Sequence, residues 1–337
     1  MTSWIRRLPK VELHVHLDGS LRMKTVREWA PTLPEELRFS SARALRKAVI
    51  PSGVSSLDEY LESFDVTVAL LQTSEHLERA AFELCEDAAS ENVIYVEIRF
   101  APLLHTAGSL NPREVVRAVL RGIERAKASF GIEGRLILSA MKQASTEDSI
   151  EVAQLAAQFS GKGVVGIDLA GPERQYPPKI HRDAIGLAKA SGVHVTVHAG
   201  ESCCPEQIKM ALDLGAERIG HGVFLFQAPE TEARVVELGI PLEMCPTSNL
   251  QISEPVKSYA DHPFKRYADL GIPVTINTDN RLMSQIDLTH EYEVLQKAFS
   301  FNRGEVHQFV ENGISAAFAP DELKHALRAR LTAAVEH

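Results

Sequence analysis

Eight short runs of β-branched and other apolar residues alternate with longer stretches of helical periodicity, and this alternation narrows the possible folds most. The runs are Val11–His16, Val93–Phe100, Arg135–Met141, Val164–Leu169, Val193–His198, Arg218–His221, Ile240–Cys245 and Pro273–Thr278. Helix-like segments separate them, among them Pro112–Ser129, Ser149–Phe159, Arg182–Ala190, Pro205–Leu214 and Glu230–Leu238. Several open on proline or follow a polar cap such as Ser145-Thr146-Glu147-Asp148, the usual signals of a helix start. Strands alternating with helices lie parallel, because a parallel neighbour is reached only through a crossover. The result is an α/β chain, either a closed (β/α)8 TIM barrel or an open doubly wound sheet. No GxGxxG follows the first strand, which disfavours the dinucleotide-binding open sheet.

One interval is irregular. Residues 17–92 separate the first two strands without any low-complexity sequence, and read as a helical insertion. Within them Leu57, Tyr60, Leu61, Phe64, Val68 and Leu71 form an apolar stripe at helical spacing. Such a stripe packs on the barrel wall, or it forms a lid on the catalytic face with Leu57, Leu61 and Phe64 against a substrate. No Pro- or Ser-rich linker interrupts the chain, so residues 1–337 are expected to form a single domain.

The chain carries 36 Lys+Arg against 45 Asp+Glu, a formal net charge of −9. That balance disfavours nucleic acid and anionic membranes as partners, since phosphate backbones are bound by basic surfaces. No run of 18 apolar residues spans a membrane, and MTSWIRRLPK lacks the apolar core of a secretory signal. The cysteines Cys85, Cys203, Cys204 and Cys245 show no CxxC spacing, so a reduced, cytoplasmic protein is expected. Oligomeric state is not legible in the sequence.

The chemistry sits at strand ends. His14 and His16 are two apart in the first strand and share a face. His198 closes the fifth strand, His221 the sixth, and Asp279 follows the eighth. Singly, each reads more readily as a core histidine or a helix cap. Together they favour closure, because in a barrel all C-terminal strand ends meet at one mouth and the eighth strand neighbours the first. His14, His16, His198 and Asp279 supply three nitrogens and one carboxylate, a set suited to one Zn2+ with room for water. Zinc lowers the pKa of such a water to about 7. A second metal would need a bridging ligand such as a carboxylated lysine, and Val164–Leu169 offers no lysine. Glu201, three residues past His198 and beyond a glycine, is placed to give and take a proton if its surroundings raise its pKa. His221 is read as orienting or deprotonating the water, or else as a fourth nitrogen ligand or a structural histidine.

These residues lie in motifs that resemble those of the adenosine deaminases: HVHLDGS at His14–Ser20, YVEIRFAP at Tyr95–Pro102, DLAGPE at Asp168–Glu173, VHAGE at Val197–Glu201, RIGHG at Arg218–Gly222, CPTSNL at Cys245–Leu250 and INTDN at Ile276–Asn280. The motifs run in family order across almost the whole chain, and in combination they are highly specific. The resemblance implies zinc-dependent deamination of adenosine and 2′-deoxyadenosine to inosine-type products and ammonia, by hydroxide addition at purine C6. It implies zinc on His14, His16, His198 and Asp279, with His16 also beside the substrate. Glu201 would protonate N1, and His221 with Asp279 would position and deprotonate the water. Gly171 would donate its backbone N–H to N3, and Asp18 would hold the ribose 5′-hydroxyl. Asp168 and Glu243 would orient ligand histidines from behind.

Asn280 departs from the family pattern, where an aspartate commonly contacts N7. An amide NH2 donates to N7 directly, whereas a carboxylate must first be protonated. Other 6-aminopurines or modified adenine nucleosides are therefore alternative substrates, and a non-catalytic nucleoside-binding barrel is a second alternative. A two-metal hydrolase is disfavoured by the missing lysine. The remaining histidines, His76, His105, His181, His194, His262, His290, His307, His325 and His337, are read as structural or surface.

Overall fold

The expected alternation produces eight parallel strands in a computed structural model that describes residues 4–52 and 56–335. They are β1 (Lys10–His16), β2 (Val93–Phe100), β3 (Glu133–Met141), β4 (Val164–Ala170), β5 (His194–Ala199), β6 (Arg218–His221), β7 (Leu242–Met244) and β8 (Val274–Ile276). Strands pair in chain order from β1 to β8. The ring is joined where His16 N–H donates to the Asp279 carbonyl at 2.7 Å and Asp279 N–H donates to the His14 carbonyl at 3.0 Å. Barrel closure and the expected metal ligands therefore share the same backbone.

Every residue of β2 is buried, as expected for a strand with helices on one side and a barrel interior on the other. One large apolar cluster fills the layer between strands and outer helices. The barrel interior is different. Glu12, Glu97, Arg99, Asp168, Arg218 and Glu243 are all buried. Arg218 pairs with Glu97 and, at 2.6 Å, with Glu243. Arg99 lies 2.7 Å from Glu243 and 3.4 Å from Asp168. Buried charges persist only when paired, and here the pairing makes a rigid charged floor beneath the strand C-termini.

Local rules explain most boundaries. Pro112 stands at the first position of the helix Pro112–Phe130, where Asn111 and Glu114 form a capping box. Ser145 and Asp148 form another box, so that helix begins at Thr146, earlier than the apolar periodicity suggests. β7 and β8 are shorter than their apolar runs. Cys245 stands at the N-cap position of the helix Pro246–Ile252, and Asn277 turns its side chain to the neighbouring strand β1, where it accepts from Leu13 N–H at 2.8 Å.

The insertion after β1 contains the helices Met23–Trp29, Ala42–Val49, Leu57–Leu61, Phe64–Leu70 and Ser74–Ser90. The last packs against β2 and the helix Pro112–Phe130 as an ordinary barrel-wall helix. The apolar stripe is not one helix, because the chain turns at Glu62–Ser63 between two short ones. Leu57 and Tyr60 pack with Ile252 and Met283 on the opposite rim, with Leu61 and Phe64 beside them, while Leu71 belongs to the main core. No helix among the described residues is long and apolar enough to cross a membrane.

Candidate active site

His14 and His16 come from β1, His198 from β5 and Asp279 from the turn after β8. One ligating atom from each lies within 4.8 Å of all the others. The groups behind them decide which atoms face inward. His14 Nδ1 lies 2.8 Å from Glu243 Oε2. Burial opposes ionisation of Glu243, but Arg99 and Arg218 outweigh it and hold its carboxyl well below the usual range. A carboxylate accepts, so Nδ1 carries the proton and Nε2 keeps its lone pair. That Nε2 is buried with no hydrogen-bond partner. His198 is held in the same way, with Nδ1 3.0 Å from Asp168 Oδ1, and its Nε2 sits 3.2 Å from His16 Nε2. Asp279 accepts from Ser248 Oγ through Oδ2 at 2.6 Å. Its Oδ1 lies 3.4 Å from His14 Nε2 and 3.3 Å from His16 Nε2. Converging lone pairs and an orphaned nitrogen fit a divalent first-row cation held by three nitrogens and one carboxylate.

A second grouping replaces His16 and His198 by His221 and Cys245, keeping His14 and Asp279. Burial pushes the Cys245 thiol well up, so it stays protonated and is the poorer ligand. The two groupings share two residues and describe one centre.

Gly200 has φ +65°, which swings the chain out of β5 and turns Glu201 back over the ligands. Glu173 holds this turn. Its carboxylate accepts from the backbone N–H of Gly200, and from Glu201, Ser202 and Cys203 at 3.1, 3.1 and 3.4 Å. Glu201 is buried and lies 3.4 Å from His221 Nε2. Burial, then the charges of Asp279 and Glu173, raise its pKa well above that of an ordinary glutamate. Burial, then His14, push His221 well below the ordinary histidine value. His221 and Asp279 adopt φ of +66° and +62°, a left-handed backbone that few non-glycine residues take. Gly220 has little spare room, since a Cβ there would lie 3.1 Å from His14 Cε1 and 3.2 Å from His198 Cα, so these neighbours would have to move by a few tenths of an ångström.

A cavity of about 430 Å3 opens over these groups. His16, Asp18, Gly171, His198, Glu201, Asp279 and Asn280 line it from the barrel, and Leu57, Leu61 and Phe64 from the insertion. Asp18 Oδ1 and Asn280 Oδ1 are buried without partners. No Lys or Arg lines it among the described residues, whereas Asp58, Glu62 and Asp65 join Asp18 as carboxylates.

A family model described as adenosine deaminase matches residues 9–334. The chain belongs to the adenosine deaminase family. An adenosine deaminase of Clostridium perfringens (strain 13 / Type A) is 44% identical over 323 residues, covering 95% of this chain and 97% of the relative. The crystal structure of Arabidopsis ADAL complexed with IMP superposes with a TM-score of 0.91 at 30% identity, covering both chains completely. A Burkholderia ambifaria amidohydrolase with bound Zn gives 0.87 at 28% identity, covering 98% of this chain and 93% of the other.

In this adenosine deaminase-family chain every site residue expected from the sequence gathers at the mouth, with Asp168 and Glu243 directly behind the ligand histidines. Sequence reasoning did not single out Glu173, Arg99, Ser248 or Asn249. Glu173 and Arg99 fall inside the DLAGPE and YVEIRFAP motifs, and Ser248 and Asn249 inside CPTSNL, so the motifs carried the signal without the roles. His262, expected to be structural or surface, is buried and hydrogen-bonded to Asn249. The expectation that all four cysteines are reduced is corrected at one pair. Cys203 and Cys204 are joined as a disulfide, at a backbone turn where Cys204 has φ +58°. Cys85 and Cys245 are free and buried.

Proposed function

We propose that this chain hydrolyses the 6-amino group of adenosine and 2′-deoxyadenosine, giving the 6-oxo nucleosides and ammonia, with one zinc ion per chain held by His14, His16, His198 and Asp279. The observation that carries the reading is the placement of Glu201, buried beside the four-ligand cluster where burial and then the charges of Asp279 and Glu173 raise its pKa. When bound, zinc supplies Lewis acidity that makes a water nucleophilic at neutral pH.

The residues do the rest. Glu201 donates its proton to purine N1, which leaves C6 electron-poor. Water adds at C6, one of its protons restores the Glu201 carboxyl and the other passes to the amino nitrogen. The C6–N bond breaks and ammonia leaves while the proton on N1 stays with the 6-oxo product, so atoms and charge balance. Ser248 fixes Asp279 through Oδ2 and leaves Oδ1 toward the histidines. Asp18 offers its unpartnered Oδ1 to the ribose 5′-hydroxyl, Gly171 its N–H to N3, and Asn280 its NH2 to N7. A cavity without cations and edged with carboxylates favours a nucleoside over its 5′-phosphate, since a phosphate needs a positive partner. The short helices Leu57–Leu61 and Phe64–Leu70 act as a lid within a single domain, a reading supported by their contacts across the mouth.

An ultraviolet assay of zinc-loaded protein on adenosine, 2′-deoxyadenosine, adenine and AMP tests this. Both nucleosides should be converted, with adenine and AMP at least about 10²-fold slower. No conversion of adenosine by protein shown to hold zinc overturns the substrate assignment. AMP turned over as fast as adenosine overturns the argument from the missing cation.

A further inference from the structure

A chain of hydrogen bonds behind His221 settles where its proton sits. It begins at a group whose role is unambiguous. The backbone N–H of Phe264 can only donate, and its acceptor is His262 Nδ1 at 3.2 Å. His262 Nδ1 is therefore a lone pair, and the ring proton is on Nε2. That Nε2 lies 3.1 Å from Asn249 Oδ1, which accepts. The Asn249 amide is thereby oriented, and its Nδ2 lies 3.1 Å from His221 Nδ1. An NH2 group can only donate, so His221 Nδ1 also holds a lone pair. Turning the Asn249 amide over would make His262 accept at both nitrogens, which only an imidazolate could do. His221, Asn249 and His262 are all buried, so water does not offer alternative partners. Burial pushes His262 down to about 3, in keeping with a neutral ring.

We infer that Asn249 and His262 are positioning residues that hold His221 as a neutral imidazole with its proton on Nε2. Nε2 is the atom that faces the reaction centre, 3.4 Å from Glu201 Oε1 and without a hydrogen-bond partner. His221 then donates a hydrogen bond to the attacking oxygen and does not take a proton from it, which revises the base role expected from its family. The sequence offers no periodicity that would link His221, Asn249 and His262. The catalytic meaning of this arrangement rests on the proposed deamination, whereas the tautomer does not.

The test reads the tautomer directly. Zinc-loaded protein labelled with 15N in its histidine rings gives long-range proton–nitrogen correlations that distinguish the two neutral forms, with His221 assigned by its loss in His221→Gln. The expected spectrum has His221 protonated at Nε2 and bare at Nδ1, before any substrate is added. A neutral His221 protonated at Nδ1 overturns the inference, whether or not the protein deaminates anything. Asn249→Asp supplies the second arm, because a carboxylate accepts from both rings and demands a proton on His221 Nδ1. In that variant the tautomer should reverse and kcat on adenosine should fall about 10²-fold, the loss typical of one misdirected donor. KM and zinc content should stay within about threefold of the parent on the same ground. An Asn249→Asp protein that reverses the tautomer yet keeps the parent kcat removes the catalytic role assigned to the donor.

Discussion

Glu201 and Glu243 are both buried glutamates within one barrel mouth, yet their surroundings drive them in opposite directions. Arg99 and Arg218 hold the Glu243 carboxyl well below the usual range against the effect of burial, whereas burial and then Asp279 and Glu173 raise that of Glu201 well above it. Such divergent environments are what the proposed roles require, an orienting carboxylate at Glu243 and an acid at Glu201. Glu201→Gln preserves the volume and removes the transferable proton. It should fold and bind zinc like the parent while turnover on adenosine falls by at least about 10²-fold. Because the acid form is the active one, parent kcat should decline as pH rises through the elevated pKa of Glu201. Kinetics across pH 6 to 10 would check both points, and near-normal turnover by the variant excludes Glu201 as the acid. The ligand residues were legible at this scale because a two-residue period puts His14 and His16 on one face, and strand C-termini converge. Glu173 and His262 were not, since each acts through contacts made across a fold boundary and not along its own element.

Elements are tied to one another by single buried groups. The helix Leu288–Phe299 supplies Glu291, whose Oε2 accepts from the backbone N–H of Thr247 at 3.0 Å, in the first turn of the helix Pro246–Ile252. Burial raises Glu291 from 4.5 to about 8. In the unfolded chain this side chain ionises near 4.5, while the folded form keeps its proton. The contribution is therefore complete below about 4.5 and is lost as pH rises through about 8. Glu291→Gln should leave Tm unchanged near pH 5 and raise it progressively toward pH 9, by about 1–2 °C for each kcal/mol regained in a chain of this size. Calorimetry on both proteins across that range measures it, and a parallel pH dependence would show that Glu291 is ionised in the fold. The strands and outer helices followed from periodicity and caps, with boundaries moving by a few residues. The apolar stripe over the mouth misled, because helical spacing continues through Glu62–Ser63 although the chain turns there.

At the scale of the whole molecule the candidate metal centre draws on β1, β5 and the end of β8, including the strands that close the ring. A cation bound only by the folded state stabilises it by mass action, about 2.7 kcal/mol when free metal is a hundredfold above Kd. Chelation should lower the Tm by about 4 °C for a chain of this size, and one equivalent of zinc should restore it. Metal analysis alongside the melts gives the stoichiometry. An unchanged Tm in protein shown to have lost its metal would detach the centre from the fold's stability. The sequence alone determined the strand–helix alternation, the barrel, the residues of the candidate metal centre and the family, because these depend on short-range periodicity and on motifs a few residues long. Only the tertiary structure decided which nitrogen of each histidine faces inward, which glutamate has its pKa raised and which lowered, and what stands behind His221. Those properties come from burial and from charges brought together by residues distant in the chain, and no local pattern records them.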